Sequence, residues 1–436
     1  MGINEYRLRG GRLRRILPPG RRNHSRVEYT GQSEKGGKMS AESTTNPSDE
    51  VPQVNDNAQE SGIDDAFSFD LPDIPLPEPE AVVQTVNDSF NAAVKFSFIG
   101  SGQGGGRLVS EFYKLGYKRT CAINTSIQDL NGTELMENQK LFIGVGGTGK
   151  NRRIGEAQVK QHSEEVMELM RRSFGPQFDR IMVVASVGGG TGSGSFETIV
   201  KLSNELVESL RLKKVGDPTR VGLMLVLPSD SERDRMSNAV EAIRTAESLL
   251  AAGLVSPLVI VDNERIGSMY PSATVGNVWS KANQSIVTLW HLFNLLAGAP
   301  TKHVTFDVEE YRSILSSGIV IYGAMQITDV TKDGMSKAIR ENLKKTVLCG
   351  GLDIATAKSA ACVICGESSS LEAIPWEVIE HSYEMLGRVA GGAVVHRGIY
   401  AAKRPLSAYT ILGGLSLPKP RLDEIARLAG RRDWDE

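Results

Sequence analysis

From about residue 91 onward, the chain is divided into short apolar runs and longer segments in which apolar residues recur with a helical period. The runs are rich in β-branched residues and end abruptly in glycine or polar residues, a pattern typical of buried strands. They are Val94–Ile99, Thr120–Ile123, Ile181–Ala185, Val221–Leu227 and Leu258–Val261. The periodic segments predict helices, among them Ala157–Ser173, Phe196–Leu210 and a long helix from about Val275 to Leu296 that a proline stop ends at Gly298-Ala299-Pro300.

Three further strands are predicted after Ile319, in I-V-I-Y-G-A-M-Q-I, A-A-C-V-I-C-G and G-G-A-V-V-H-R-G-I-Y. Helices at about 335–347 and 373–389 separate them, and Pro418–Glu436 is a short tail with room for one helix.

One glycine run stands between a predicted strand and a predicted helix. Ile181–Ala185 is followed at once by Gly188, Gly189, Gly190, Thr191, Gly192, Ser193 and Gly194, and then by Phe196–Leu210. This order places free backbone N–H groups and a helix N-terminus against an anion. Glycine reaches positive φ without steric cost and lets the backbone touch a phosphate. The run predicts a phosphate-binding loop; a glycine-rich turn without a ligand is the alternative.

Two other glycine motifs resemble parts of common nucleotide folds without completing them. Gly100, Gly102 and Gly105 form G-x-G-x-x-G after the first strand, but the second strand ends in Asn124-Thr125-Ser126, without the carboxylate that a dinucleotide fold places there. Gly144 to Lys150 matches most of a Walker A loop, yet Asn151 stands where the magnesium-binding hydroxyl belongs. Neither a dehydrogenase nor a Walker A enzyme is therefore favoured.

Composition sets outer limits on the function. The 436 residues carry a formal net charge of −2, which gives the molecule as a whole no bias toward nucleic acid or membranes. No apolar stretch reaches the length of a membrane span. The four cysteines, Cys121, Cys349, Cys362 and Cys365, lie among apolar residues, as expected in a reducing cytoplasm. Cys362 and Cys365 form one C-x-x-C pair without the second pair that a zinc site needs, which favours buried strand cysteines.

The first ninety residues differ from the rest. Residues 1–38 are rich in arginine and lack an apolar period, so they are either a basic arm or a stretch preceding a translation start at Met39. Residues 40–90 are rich in Ser, Thr, Asn, Pro and acids, which predicts disorder, with a small apolar cluster that could dock on a partner.

The run G-G-G-T-G-S-G resembles the signature loop of the tubulin/FtsZ superfamily of GTPases, and further loops in the same order extend the resemblance over about residues 94–410. It implies an α/β fold: a Rossmann-like parallel-sheet GTP-binding domain (91–274) joined by a central helix (275–297) to a smaller α+β domain (298–415), with a tail at 416–436. It also implies GTP or GDP as ligand, with Mg²⁺.

The same resemblance implies which residues form the nucleotide site. In the second loop, Ser126 stands where the family has an acid, and Lys150 adds a cation by the γ-phosphate in the third loop. Glu232 and Arg235 match a ribose-binding Glu and an Arg near the nucleotide, Asn263 matches a base-binding Asn, and Asn277 takes the position that selects guanine. The phosphate residues are Gly102, Gln103, Gly104, Gly105, Asn124, Gly147, Thr148, Gly149 and those of the signature loop from Gly188 to Gly194.

The segment T-K-H-V-T-F-D-V-E-E-Y-R resembles the family's catalytic loop, which enters the site of the next subunit. Asp307 and Glu310 keep its two carboxylates and Thr305 replaces its Asn. The alternative is that acids at a helix start complement the helix dipole. No general base stands out in the nucleotide-binding half, which agrees with a site shared between subunits.

We therefore expect a cytoplasmic GTPase that polymerises head to tail, in cell division or in plasmid or phage DNA positioning. The partners implied are other copies of the chain and an adaptor bound through either tail, although no FtsZ-like C-terminal adaptor peptide is present. A non-polymerising nucleotide-binding module is the competing hypothesis.

Overall fold

The computed structural model describes residues 88, 90–144, 146–269, 274, 278–344 and 350–436. The basic segment 1–38, nearly all of the predicted disordered segment 40–90 and the candidate site residue Asn277 lie outside these ranges. Ordered packing begins slightly before Asn91, because Asp88 forms a buried ion pair of 3.0 Å with Arg119 and the Phe90 ring lies 4.8 Å from that of Tyr117.

The described residues contain ten strands and thirteen α-helices. The strands are β1 Phe96–Ser101, β2 Thr120–Asn124, β3 Lys140–Phe142, β4 Arg180–Ser186, β5 Val221–Leu227, β6 Leu258–Asp262, β7 Ile319–Gln326, β8 Ser359–Gly366, β9 Val394–Ala401 and β10 Ser407–Leu415. The helices are α1 Gly102–Lys114, α2 Ile127–Asn131, α3 Arg152–Gln161, α4 Ser163–Phe174, α5 Gly190–Ser209, α6 Met236–Ala251, α7 Asn263–Met269, α8 Val278–Leu296, α9 Val308–Leu315, α10 Lys332–Lys344, α11 Ser368–Glu372, α12 Trp376–Val389 and α13 Lys419–Leu428.

The strands form one sheet in the order β3-β2-β1-β4-β5-β6-β7-β10-β8-β9. The first six are parallel, as expected for buried strands covered by helices on both faces. β10 runs antiparallel between β7 and β8, and β9 is parallel to β8. Only Leu258 and Ile319 pair across the junction of β6 and β7, so the two halves of the sheet are weakly joined there. The predicted α/β fold class is confirmed.

The central helix α8 packs into the core between the halves. Trp290 is almost fully buried, with its ring 5.1 Å from Phe96 and 5.3 Å from Tyr322. Asn294 fixes the helix to the start of β1, because its side chain accepts a hydrogen bond of 2.8 Å from the Val94 N–H and donates one of 3.1 Å to the Val94 carbonyl. A buried amide paired on both sides fixes one register of packing.

Three elements differ from the sequence prediction. The helix expected over Ala157–Ser173 is two helices, α3 and α4, which meet at His162. β3, at one edge of the sheet, and β10, in the middle of its second half, were not predicted. The apolar C-x-x-C strand is confirmed as β8, where Cys362 and Cys365 are buried free thiols whose pKa values burial raises to about 12. Among the helices that the structure describes, none combines the length and apolar character needed to cross a bilayer.

Candidate functional site

A cavity of about 390 Å³ opens at the carboxyl edge of the parallel strands. This is the edge at which open α/β sheets bind ligands, because the loops after the strands converge there. Fourteen of the candidate residues line it: Gly102, Gln103, Gly104, Asn124, Gly147, Thr148, Gly188, Gly189, Gly190, Thr191, Gly192, Glu232, Arg235 and Asn263. The structure thus brings together residues that are spread over more than 160 positions of the chain.

Two helix N-termini point into this cavity. α1 begins at Gly102 and α5 at Gly190, and neither has an acidic residue in its first turn or a side-chain cap on its N–H groups. Both therefore present unsatisfied donors and the positive end of a helix dipole to the same space. Backbone atoms of the two loops nearly touch, since a Cβ added at Gly102 would lie 3.0 Å from the Gly192 nitrogen. The arrangement is suited to an anion with several oxygens, such as a polyphosphate.

The glycine run enters the helix instead of preceding it. Gly189 is the N-cap, and Gly190–Gly194 form the first turns of α5, which the sequence placed from Phe196. Gly189 has φ −84°, and no residue of this described run has a positive φ, so left-handed backbone is not what the glycines supply here. They permit close approach instead: a Cβ at Gly192 would lie 2.2 Å from the Ser186 carbonyl oxygen.

Four candidate residues, Gly105, Gly149, Ser193 and Gly194, are absent from the described cavity lining. A Cβ at Gly105 would lie 2.3 Å from the Val184 carbonyl oxygen, so this glycine lets α1 pack on β4. A Cβ at Gly194 would lie 2.2 Å from the Arg152 carbonyl oxygen, where α3 crosses α5. These two glycines support the loops from behind.

The third loop, which contains Gly147 to Lys150, closes one side of the cavity. Gly147, Gly149 and Lys150 all have positive φ (118°, 55° and 67°), which folds the loop tightly ahead of α3. The Lys150 ammonium forms an ion pair with Asp234 and lowers the pKa of that carboxyl. Asn238 donates to the Lys150 carbonyl at 2.8 Å and so ties the loop to α6. Lys150 thus lies on the cavity with its charge partly neutralised.

Glu232 and Arg235, in the segment before α6, also line the cavity and form an ion pair with each other. The Ser229 N–H donates to Glu232 at 3.1 Å, which orients the carboxylate. The Nε of Arg235 is buried and has no hydrogen-bond partner within the part of the chain described. A buried donor without a partner is costly, so this nitrogen is available to a bound ligand.

The second loop carries a carboxylate that the sequence comparison missed. Ser126, in the position of the family's acid, instead caps α2 by accepting from the Asp129 N–H at 3.3 Å. That cap directs Asp129 into the cavity, where its carboxylate accepts from the Gln103 amide at 2.9 Å and the Asn124 amide at 3.3 Å. Asp129 lies three positions, about one helical turn, after Ser126, the position at which the resemblance implies an acid.

α8 adds two cavity residues that were also missed, Trp279 and Asn283. They are four residues apart on one helix and therefore share a face. Trp279 keeps 41% of its surface exposed, which is unusual for so large an apolar side chain. The i, i+4 spacing of an aromatic and an amide was the available signal. Arg107 of α1 also lines the cavity.

Asp307 and Glu310 lie elsewhere. Asp307 is the N-cap of α9, accepting from the Glu310 N–H at 2.8 Å, while Glu310 accepts from the Asp307 N–H at 2.9 Å. Glu310 also contacts His396 at 3.0 Å. The same helix meets the amino edge of the sheet, since Arg312 pairs with Asp179, just before β4, at 3.3 Å. The seven residues of β4 separate that edge from the cavity by on the order of 20 Å.

A parallel sheet with two uncapped helix N-termini at its carboxyl edge, an aromatic face and several amides defines a nucleotide-binding α/β domain. Residues 95–271 match the Tubulin/FtsZ family, GTPase domain. Those residues are therefore a GTPase domain of the Tubulin/FtsZ family, and the predicted resemblance is confirmed.

Relatives extend the similarity. The chain is 26% identical to cell division protein FtsZ 1 of Methanocaldococcus jannaschii over 200 residues, which cover 44% of this chain and 49%, about half, of that protein. It is 25% identical to the tubulin-like protein CetZ2 of Haloferax volcanii over 344 residues, 74% of this chain and 89% of CetZ2. In fold it is similar to the GTPγS-form protofilament of Bacillus thuringiensis serovar israelensis TubZ, with a TM-score of 0.68 and 17% identity over 79% of this chain and 93% of TubZ.

Proposed function

We propose that this protein binds GTP in the carboxyl-edge cavity, hydrolyses it to GDP and phosphate, and polymerises head to tail into filaments. One observation carries the proposal: the cavity and the acids Asp307 and Glu310 lie at opposite edges of the same sheet. These acids cannot reach the cavity of their own subunit. Stacking one subunit on the next in the same orientation brings the amino edge of one over the cavity of the other. Such a heterologous contact does not close on itself and propagates as a filament.

The phosphates, the ribose and the base of GTP would each be bound by a different group of cavity residues. The helix N-termini of α1 and α5 would bind the phosphates, with Lys150 and Arg107 adding positive charge. Glu232 would accept from the ribose hydroxyls, and the Arg235 Nε would find its partner in the ligand. Trp279 would stack on the base, while Asn263 and Asn283 offer the paired donor and acceptor that a purine edge requires. Asn277, outside the described residues, stays a prediction as the selector of guanine.

Mg²⁺ fits the polar end of the cavity. In the described part of the chain, no cluster of three or more His, Cys, Asp or Glu side chains could hold a metal unaided. A magnesium ion bound by one carboxylate, waters and phosphate oxygens needs no such cluster. Asp129 is the carboxylate in reach, and the amide nitrogens of Gln103 and Asn124 donate to its two oxygens. The ion would neutralise phosphate charge, while these side chains would orient its water shell.

The hydrolytic step would depend on positioning. Asp307 and Glu310 of the neighbouring subunit would orient the attacking water in line with the leaving phosphate. Filaments would therefore hydrolyse GTP, and free subunits would bind it without turnover. We place the protein in the cytoplasm, because the three described cysteines are free thiols, as in a reducing compartment. The cellular role is cell division or the positioning of plasmid or phage DNA, with an adaptor bound through the N-terminal extension or the C-terminal segment.

The GTPase rate per molecule, measured across protein concentration with pelleting in parallel, tests the proposal. A threshold followed by a rising specific activity, with filaments in the pellet, is expected. A rate per molecule that is independent of concentration, with nothing in the pellet, would instead establish a non-polymerising nucleotide-binding module.

A further inference from the structure

Arg421, on the C-terminal helix α13, binds two acids that belong to two different loops of the nucleotide domain. Its Nε and Nη2 donate to Asp262 at 2.8 and 3.1 Å, and Nη2 also lies 2.8 Å from an Asp230 oxygen. Nη1 donates to Glu424 on the same helix at 2.8 Å. The Arg421 side chain is 7% exposed and that of Asp262 is 4% exposed, so water screens this pair little.

Both loops lead directly to the cavity. Asp262 immediately precedes Asn263, and its carboxylate accepts from the Glu264 N–H at 3.1 Å, at the start of α7. Glu264 in turn accepts from the Asp230 N–H at 2.9 Å. Arg421, Asp262, Glu264 and Asp230 thus form a closed ring of contacts that ties the loop after β5 to the loop after β6. The cavity residues on these loops are Glu232 and Asn263, on the ribose and base side.

The charges explain why Arg421 governs this geometry. Burial raises the pKa of Asp262, and the Arg421 guanidinium acts against that rise. Without the guanidinium, the ring would contain only the carboxylates of Asp230, Asp262 and Glu264. They would lie close together in a partly buried region and would repel one another. The planar guanidinium meets Asp262 and Asp230 simultaneously, which a lysine ammonium cannot reproduce with the same geometry.

α13 has other anchors that do not involve the ring. Leu422, Ile425 and Ala426 are fully buried. Arg431 pairs with Glu241 of α6 at 2.5 Å, and Trp434 accepts through its carbonyl from Arg244 at 2.7 Å. These contacts hold the helix on the nucleotide domain. A change at Arg421 therefore alters the two loops without releasing α13.

We infer that Arg421 is a positioning residue for nucleobase and ribose recognition, through which the C-terminal helix sets the guanine specificity of the cavity. The inference rests on the proposed function, because it requires that Asn263 and Glu232 contact bound GTP. It assigns the segment after β10 a part in substrate selection.

The test compares equilibrium dissociation constants for GTP and ATP in the full chain. Arg421→Lys keeps the charge but loses the two-acid geometry, and the preference for GTP over ATP is expected to fall about tenfold, the effect of one misaligned hydrogen bond. The melting temperature should stay near that of wild type. Arg431→Gln is the matched control: it removes an ion pair between the segment after α13 and α6 without touching Asp230 or Asp262, and it should keep the wild-type preference.

A second variant tests the inference if Arg421→Lys does not fold. Arg421→Met combined with Asp262→Asn removes both charges of the buried Arg421–Asp262 pair and keeps the oxygen that accepts from the Glu264 N–H, and it should lose the preference to the same extent. If the variants fold and keep the wild-type ratio of the dissociation constants for GTP and ATP, the inference about Arg421 is wrong but the proposed function stands. The same holds if the binding of both nucleotides is weakened equally. If neither variant folds, Arg421 is a folding residue and the inference is overturned. Equal binding of GTP and ATP by wild type would overturn the guanine specificity itself.

Discussion

Trp279 is an exposed aromatic side chain on the wall of a polar cavity, and a ligand with a flat ring explains it best. Stacking on a base is worth about 1–3 kcal/mol by alanine substitution. Trp279→Ala should therefore weaken GTP binding at least about fivefold, measured by equilibrium binding. Trp376→Ala is the control, because Trp376 is also exposed, at 57%, but lies on α12 away from the cavity. An equal loss in both variants would argue against stacking.

His291 affects stability through its protonation. Burial lowers its pKa from 6.5 to about 4, and its Nδ1 lies 3.2 Å from the Tyr117 hydroxyl. Between these two pKa values only the unfolded chain binds the proton, so the free energy of unfolding must fall as the pH falls from 6.5 to 4. The loss attributable to this group is about 3 kcal/mol.

Urea denaturation at several pH values checks this expectation. His291→Gln should be less stable at pH 7 but should show a shallower decline toward pH 4 than wild type. Asp88 and Asp262, whose pKa values burial raises, act in the opposite sense, but they are common to both proteins and cancel in the comparison. His303→Gln, at an exposed position, is the control and should decline like wild type. Parallel declines for wild type and His291→Gln would refute the assignment.

At the scale of elements, the carboxylates at the start of α9 have one role that the structure shows, capping, and one that we propose, catalysis. Asp307 and Glu310 cap the helix reciprocally, which explains them without any chemistry. Substitution separates the roles, because Asn is as good an N-cap as Asp. Asp307→Asn should keep the melting temperature and lose at least about tenfold of the GTPase rate, since it removes the charge that we propose positions water.

Asp307→Ala removes the cap as well as the charge. It should lose about 1 kcal/mol of stability in addition to activity, measured by denaturant titration. If Asp307→Asn retains the full GTPase rate in assembled protein, the cap is the whole function of Asp307 and the catalytic proposal for it is wrong.

The elements also show what the sequence could and could not predict. Buried strands and the loops that follow them are local patterns, so five of the six strands in the parallel half of the sheet and the glycine loops were accessible. The start of α5 inside the glycine run was not, because close packing against Ser186 and α3 decides it. Asp129 was missed because it lies about one helical turn after Ser126, the position at which the resemblance implies an acid. The contacts of Arg421 with Asp262 join residues 159 positions apart, and no local pattern reveals them.

At the scale of the whole molecule, the separation of the cavity from the acids makes complementation between subunits the decisive prediction. Gly189→Asp should abolish phosphate binding without unfolding, because the N-cap backbone suits Asp, the space beside Gly189 is open, and the new carboxylate would cap α5 and repel an anion. That variant keeps its α9 acids. Asp307→Asn keeps its cavity.

Each variant alone should hydrolyse GTP slowly. In an equal mixture that co-assembles, roughly one junction in four would pair an intact cavity with intact α9 acids, so up to about a quarter of the wild-type rate should return. The mixture should recover only above the assembly threshold, because in the proposed mechanism the complete site forms between two copies. Gly189→Asp mixed with a variant carrying Gly189→Asp and Asp307→Asn together is the control and should stay inactive. A mixture no faster than the sum of its separate components, despite co-pelleting, would show that each chain completes its own site.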